Sequence, residues 1–431
     1  MTKKKIGFLA GMVMLVLAGC KTGGYERIAL PGEEPALAGT REPAGTGDDR
    51  ENRRNLEDGD GTEETGIPQT GDEVEIHIGE PERDPGSGDG AEPEDGRSGG
   101  EAGVGLETGS GESGKDGEIT LLFGGDVYLS DHVLRAWETA GGIQGVLDGG
   151  YREEIAGADF FLVNQEFPFS SRGVQAPDKQ FTFRLPPERV ELFSQMGIRG
   201  VTLANNHALD FGQDALLDSC TVLDGAGILH TGAGENLEAA SGEIGLEISG
   251  RRIGIIGATR VIPVSTWAAG KNHPGMLATY DPAVLLERIR QLKETCDYVI
   301  VYVHWGVERD EMPQEYQQAL ARQYVDAGAD LVIGAHPHVL QGIQYYEGKP
   351  VVYSLGNFVF GSSIPRTMLL KVTIPAGAQD GELKLQVIPG TSSAGYTRMH
   401  QDPAVLEEFY QYLEGISFGV SYGEDGTVVQ P

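Results

Sequence analysis

Between residues 119 and 353 the chain repeats one pattern: a short apolar run, a polar or ionisable residue just after it, then a longer segment. The runs fall at 119–123, 160–163, 200–203, 253–256, 298–303, 331–333 and 351–353. Their apolar residues occupy odd and even positions alike, so they read as strands buried on both faces. Between them, 187–196, 213–225, 282–296 and 314–327 carry apolar residues three and four apart, the spacing of a helix with one buried face. Strand and helix in alternation predict an α/β layered fold with parallel pairing. Beyond Asn357 the texture changes to 368–374 and 383–387, an antiparallel return, and a last helix near 403–413.

That topology has a positional consequence, because ligands of such folds gather beyond the carboxyl ends of the strands. Asp126, Glu166, Asn206, His304, His336 and Asn357 each come within a few residues after a run. The motif ADLVIGAHPHVL, 329–340, is the most pointed of these: the chain is expected to break at Gly334 and offer His336 and His338 on either side of Pro337. A lone HxH more often caps a loop, and singly Asp126 would serve as a turn or helix cap, Asn206 as an Asx-turn and Glu166 as a solvated charge. Together, one Asp, one Glu, one Asn and three imidazoles form a mixed N/O ligand set. Such a set suits one or two divalent ions, Mn, Fe or Zn rather than Ca or Mg. A central carboxylate can bridge two ions about 3.5–4 Å apart, the arrangement used in phosphoester hydrolysis. His207, beside Asn206, would then be free to donate a proton to the leaving group. The chain holds no internal repeat, no Gly-rich nucleotide loop and no GxSxG elbow.

The first quarter is of another kind. Lys3, Lys4 and Lys5 precede an apolar segment, 6–17, and Leu17-Ala18-Gly19-Cys20 reads as a lipobox, so 1–20 is expected to be a lipoprotein signal peptide with Cys20 the lipidated residue. Residues 21–117 contain 26 acidic and 9 basic residues, a net of −17 within the chain's −32. With almost no apolar runs, this stretch is expected to be a solvated acidic Gly/Pro-rich tether. Its EVEIHI patch, 73–78, lacks partner strands, and His77 is given no role. The globular part is then 118–431. Its acidity argues against nucleic acid and anionic headgroups as partners, and is compatible with divalent cations. Cys220 and Cys296 sit in or beside helix-like runs and away from the His motifs, which argues against a thiolate zinc site.

The strings FGGDVYLS, VNQEFPFS, TLANNHALDFG, YVHWGVE, DAGADLVIGAHPHVLQG and YSLGNFVF, in unbroken order over 119–360, closely resemble the CapA-type proteins of poly-γ-glutamate capsule synthesis. These are a branch of the calcineurin-like metallophosphoesterases. The resemblance covers 361–431 only loosely and does not reach the tether. It implies a four-layer α-β-β-α sandwich. Carried over by position, it implies Asp126 as ligand of a first metal, Glu166 as the bridge, Asn206, His304 and His336 on a second metal, His338 returning to the first, and His207 as proton donor. One departure stands out: the wider superfamily opens Asp-x-His, and here that third position is Tyr128, with His132 too far along to replace it.

Around these residues, Trp305 is expected in the pocket wall and Glu308 as an orienter of His304, with Asn357 nearby in the SLGNF string. Arg135 and Arg184 are candidates for gripping an anionic substrate, with surface solubility as the competing role. The lipobox implies an exported protein, lipid-anchored at the outer face of the cytoplasmic membrane, and the resemblance implies that it acts on an anionic envelope polymer or a phosphoester, with membrane-bound capsule synthesis subunits as partners. Three activities stay open at this point: metal-dependent phosphoester hydrolysis, non-catalytic assembly or export of the polymer, and hydrolysis of γ-glutamyl linkages. The missing imidazole favours the second; His207, which binding alone would not require, favours the first.

Overall fold

The sequence ITLLFGGDV forms the strand β1 (Ile119–Val127), buried along its whole length except at Thr120. A strand with no wet face needs cover on both sides, and the rest of the fold supplies it. The computed structural model describes residues 117–378 and 382–430. The expected signal peptide, Cys20 and the tether up to residue 116 lie outside the described residues.

Beside β1, the strands β2 (Phe160–Gln165), β3 (Gly200–Thr202) and β4 (Leu229–Thr231) continue in parallel. A second sheet is built from β5 (Ile244–Ile248), β6 (Arg251–Thr259), β7 (Tyr298–His304), β8 (Leu331–Ala335), β9 (Leu340–Tyr346) and β10 (Lys349–Leu355), in the order β9-β10-β8-β7-β6-β5. Its four inner strands are parallel and its two edges antiparallel. The chain then returns to the first sheet as β11 (Asn357–Val359), β12 (Ser363–Ile374), β13 (Lys384–Ser393) and β14 (Tyr396–Met399). That sheet has the order β14-β13-β12-β1-β2-β3-β4, with β11 also paired to β1.

Side-chain alternation sorts the apolar residues into layers, since successive residues of a strand face opposite sides. Leu121, Phe123 and Leu162 of the first sheet meet Ile255, Ile300, Tyr302 and Ile333 of the second in one buried cluster between the sheets. Leu122, Val163 and Val201, on the other face, pack against α1 (Asp131–Ala140), α2 (Gly149–Ala156), α3 (Val190–Gln195) and α4 (Gln213–Gly225) through Val133, Tyr151, Phe193 and Leu216. Val299, Val301 and Val303, on the far side of the second sheet, are covered by Leu285 and Ile289 of α5 (Ala283–Thr295) and Leu320 and Tyr324 of α6 (Glu315–Ala327). The result is the α-β-β-α sandwich expected above. The last helix, α7 (Pro403–Ile416), adds Phe409 and Leu413 to the inter-sheet cluster. No helix among the described residues is long and apolar enough to cross a membrane.

Several local expectations are corrected. The predicted helix 187–196 is a 3-10 turn, Pro187–Arg189, followed by the six residues of α3. The expected break at Gly334 is absent: β8 runs through it to Ala335. Glycine is needed there for another reason, because a Cβ would meet Tyr353 O of β10 at 1.9 Å. The helices α1 and α2 and the strands β4, β5, β9, β11 and β14 have no counterpart among the predicted elements.

The two sheets are joined where the chain crosses from β10 to β11. Gly356, at φ 58°, makes the crossing in a conformation that favours glycine. Its carbonyl accepts a hydrogen bond from Asp126 N at 2.8 Å, and Asn357 pairs with Asp126 across β1 and β11. A Cβ on Gly125 would lie 1.8 Å from Gly356 O. Gly125→Ala is therefore expected to cost at least about 2–3 kcal/mol in denaturant unfolding, from forced backbone displacement. Gly245→Ala, on the edge strand β5 with no atom within 4 Å of the added Cβ, should stay within about 0.5 kcal/mol of the parent. Equal midpoints for the two would show that this crossing is not tight.

Candidate metal centre

The carboxyl ends of β1, β2, β3, β7 and β8 deliver their polar residues to one place. Asn164 Nδ2 donates to Asp126 Oδ1 at 2.8 Å and to Glu166 Oε1 at 3.4 Å. His304 Nε2 lies 2.9 Å from Asn206 Oδ1 and 3.4 Å from Glu166 Oε1. The His336 backbone N–H donates to Asp126 Oδ2 at 3.2 Å. His338 Nδ1 lies 2.9 Å from Asn357 Oδ1, 3.5 Å from Asp126 Oδ2 and 4.0 Å from Glu166 Oε2. Within this arrangement Glu166, His304 and His336 form one group, and Asp126, Glu166 and His338 a second, each with ligand atoms within 4.8 Å of one another. Glu166 belongs to both.

The burial of these residues is what makes a cation the fitting occupant. Asp126, Glu166 and Asn206 are 0% exposed, and His304 and His336 1%. Burial pushes the Asp126 and Glu166 carboxyls up, Glu166 further because Asp126 lies beside it. Burial also pushes the His304 and His336 imidazoles well below their ordinary value. Glu166 Oε2 is buried with no hydrogen-bond partner among the described residues. Buried carboxylates without counter-charge are strongly unfavourable, and a divalent cation is the group that answers both carboxylates and neutral imidazoles at once. The donor set, nitrogen and oxygen without thiolate, fits such an ion. Cys220 and Cys296 are elsewhere, and burial pushes the Cys220 thiol up to about 12. His336 and His338 also hold φ values of 100° and 59°, conformations that cost about 1–3 kcal/mol each for a non-glycine residue.

His207 sits at the margin of the cluster, 5% exposed, with Nδ1 2.7 Å from Asp210 Oδ2. Burial lowers its pKa to about 4 against the opposing pull of the Asp210 hydrogen bond. Asp210, fully buried, also accepts from Phe183 N at 2.6 Å and from Lys179 Nζ. Lys179 Nζ further donates to Asn206 O and lies 3.0 Å from His207 Nδ1. With Nδ1 engaged, Nε2 is the nitrogen left for other chemistry. Phe183 stacks on His207 at 4.3 Å and on Tyr128 at 4.0 Å. The Tyr128 ring is thus part of an aromatic wall that Phe360 and Phe167 complete.

Sequence reasoning does not single out Asn164, Lys179 or Asp210. Asn164 and Asp210 do carry a signal: they lie inside the NQE and NNHALD strings, two residues before Glu166 and three after His207, with polar side chains of the kind that orient such groups. Lys179 comes from a polar loop with no signal of its own. Other expected residues take different places. Trp305 is no part of the pocket wall: alternation along β7 turns it away from His304 into the core under α6, where Nε1 donates to Tyr353 O at 2.9 Å and the ring stacks on Tyr324. Glu308 does not orient His304, whose Nδ1 faces Asn164 Nδ2 at 3.2 Å; its carboxylate instead groups with His336 and His338. Arg135 is exposed on α1, with no ion pair among the described residues. Arg184 donates to Arg172 O at 2.9 Å and lies over the Phe211 ring, so neither arginine joins the cluster. A cavity of about 550 Å³ beside Thr120, Glu154 and Lys371 carries an ion pair between the last two and no comparable ligand set.

Residues 120–362 match the family described as "Bacterial capsule synthesis protein PGA_cap". The chain is 34% identical over 255 residues to the "PGA biosynthesis protein CapA" of Bacillus subtilis, covering 58% of this chain and 66% of that one. It is 33% identical over 260 residues to the "Capsule biosynthesis protein CapA" of Bacillus anthracis, covering 58% and 62%. It therefore spans just under two thirds of the length of these two relatives. A solved structure described as a novel phosphatase from Mycoplasma pneumoniae aligns at 17% identity with a TM-score of 0.41, over 69% of this chain and 100% of that one.

Glu166→Gln removes one buried charge and keeps the side-chain shape. Free of metal, the variant should unfold at the same temperature as the parent or higher. Saturating Mn or Zn should stabilise the parent by about 2.7 kcal/mol at a hundred times its dissociation constant and leave the variant almost unmoved. A variant keeping the full metal-induced shift would remove Glu166 from its shared position.

Proposed function

Because the chain belongs to the bacterial capsule synthesis family PGA_cap, we propose that it is an exported, lipid-anchored protein that acts in the synthesis or export of an anionic envelope polymer of poly-γ-glutamate type, through a metal-dependent phosphoesterase-like site. The address rests on the lipobox at Cys20 and the acidic tether behind it. Membrane-bound capsule synthesis subunits and the polymer itself are the partners this reading implies. The activity rests on one observation: two groups of ligand atoms share Glu166, with the His207–Asp210 pair at their margin.

Asp126 and His338 would hold one ion, Asn206, His304 and His336 a second, and Glu166 both. Mn, Fe or Zn fits this donor set better than Ca or Mg, and such ions polarise a phosphoester oxygen and lower the pKa of bound water. The chain's own contribution is position and proton control. Asn164 fixes the Asp126 and Glu166 carboxylates, so that the ligands are oriented before any substrate arrives. Asp210 engages His207 Nδ1 and leaves Nε2 to exchange a proton with the leaving oxygen. An anionic substrate beside the ring would raise its low proton affinity by opposite charge, arming the group only when the site is filled.

Tyr128 supports a second reading. With a packed tyrosine where the superfamily pattern has an imidazole, the Asp126 side has fewer donors, and a pocket of this kind could bind the polymer's carboxylates without turnover. The two readings separate on His207→Ala. In the catalytic case, hydrolysis of an aryl phosphate with added Mn falls about 10²–10⁴-fold while metal content stays the same. Rates equal to background in both parent and variant would leave only the binding function. The address is tested separately: Cys20→Ala should move the protein from the membrane fraction to the soluble one, and retention at the membrane would sink the lipid anchor.

A further inference from the structure

Glu308 is the one carboxylate, besides Asp126 and Glu166, that the described residues bring into a ligand group with the HPH imidazoles. It is exposed and forms no hydrogen bond or ion pair among the described residues. One of its carboxylate oxygens lies within 4.8 Å of ring nitrogens of both His336 and His338. The loop that carries it is tightly held. Gly306, at φ 96°, turns the chain after β7, and its N–H donates to the Tyr316 hydroxyl at 2.7 Å. A Cβ on Gly306 would meet Pro337 Cγ at 2.9 Å, and Arg309 N donates to Pro337 O at 2.8 Å. The loops of Glu308 and of His336 and His338 are therefore pinned to each other, and the carboxylate stands over the two imidazoles.

The two ligand groups are unequal. Glu166, His304 and His336 are joined by Asn206 Oδ1, 2.9 Å from His304 Nε2, which makes four donors. Asp126, Glu166 and His338 are three, one of them shared, and the Tyr128 ring is engaged with Phe183. Glu166 Oε2, fully buried and without a hydrogen-bond partner, is 4.0 Å from His338 Nδ1 on this poorer side. We propose that Glu308 supplies a further ligand to a divalent ion on the His338 side, where the buried donors are fewer, and closes the solvent face of the site. This inference rests on the metal-dependent reading above. An ion held partly by an exposed carboxylate exchanges with solvent more readily than one enclosed by buried ligands, so the protein holds two ions with different affinities.

The test is titration of the metal-depleted mature chain with Mn or Zn, followed by calorimetry, with elemental analysis after dialysis and a thermal melt of each form. The parent is expected to bind two ions. Glu308→Gln should keep the tighter ion and bind the weaker at least about tenfold less well. Glu308→Asp should fall between the two. Metal-free melts of all three should coincide, because Glu308 is exposed and unpaired. If Glu308→Gln binds as many ions as the parent with the same affinities, whether one or two, the ligand assignment is overturned while the metal-dependent reading stands. If the parent binds neither metal, that reading fails, and this inference fails with it.

Discussion

The constraint on which this structure turns is the burial of two carboxylates, Asp126 and Glu166, beside imidazoles that the same burial keeps neutral. In an apolar interior such a group of side chains is held at a cost, and each partner the fold provides reduces only part of it. Asn164 donates to both carboxylates, and the His336 N–H adds one more bond to Asp126. No lysine or arginine among the described residues forms an ion pair with either carboxylate; Lys179, whose charge partly offsets the upward push on Glu166, is hydrogen-bonded to Asp210 and to the Asn206 carbonyl. Buried carboxylates without a lysine or arginine ion-paired to them form a position that a cation from solution would fit.

The backbone shows the same priority. The crossing from β10 to β11 through Gly356 brings the end of one sheet against the end of the other so closely that Gly125 admits no side chain. This approach sets Asp126 of the first sheet within reach of His336 and His338 of the second. The HPH loop then bends through two positive φ values at histidine, where glycine would serve the turn at less cost. Retaining imidazoles at strained positions makes sense if the side chains are needed for their nitrogen atoms.

Much of this is legible in the sequence because the two periodicities, two for strands and 3.6 for helices, leave their mark wherever a face is buried. The helix 213–225 and the seven strand cores fall where the apolar pattern puts them, and the rule about carboxyl ends gathers Asp126, Glu166, Asn206, His304 and His336 without any knowledge of the fold. What the pattern could not carry is of two kinds. The helix α1 buries only Val133 and α2 only Tyr151 and Ile155, too few residues to show a period. Contacts made by loops have no period at all, so Lys179 on Asp210 and Glu308 over the HPH imidazoles emerge only in three dimensions. Trp305 is a case where alternation outweighs proximity in the chain: one residue beyond His304, it faces the opposite side of the sheet.

Charge gives the remaining link between site and partner. The chain is strongly acidic, with a net of −32, of which 21–117 carries −17. A polyanion approaching such a surface is repelled at distances up to about a Debye length, roughly 8 Å at physiological salt. Attraction has to be local and strong enough to overcome that field. Arg135 and Arg184 do not supply it, because neither lies at the cluster. A divalent centre beside His338, where Phe360 packs on that imidazole and Phe183 on Tyr128, would concentrate positive charge at one point of an otherwise repulsive surface. On that physical ground, hydrolysis and polymer binding make the same demand of the fold, and both would be lost with the ion; only His207, tied to Asp210 and of no use to a passive pocket, tells them apart.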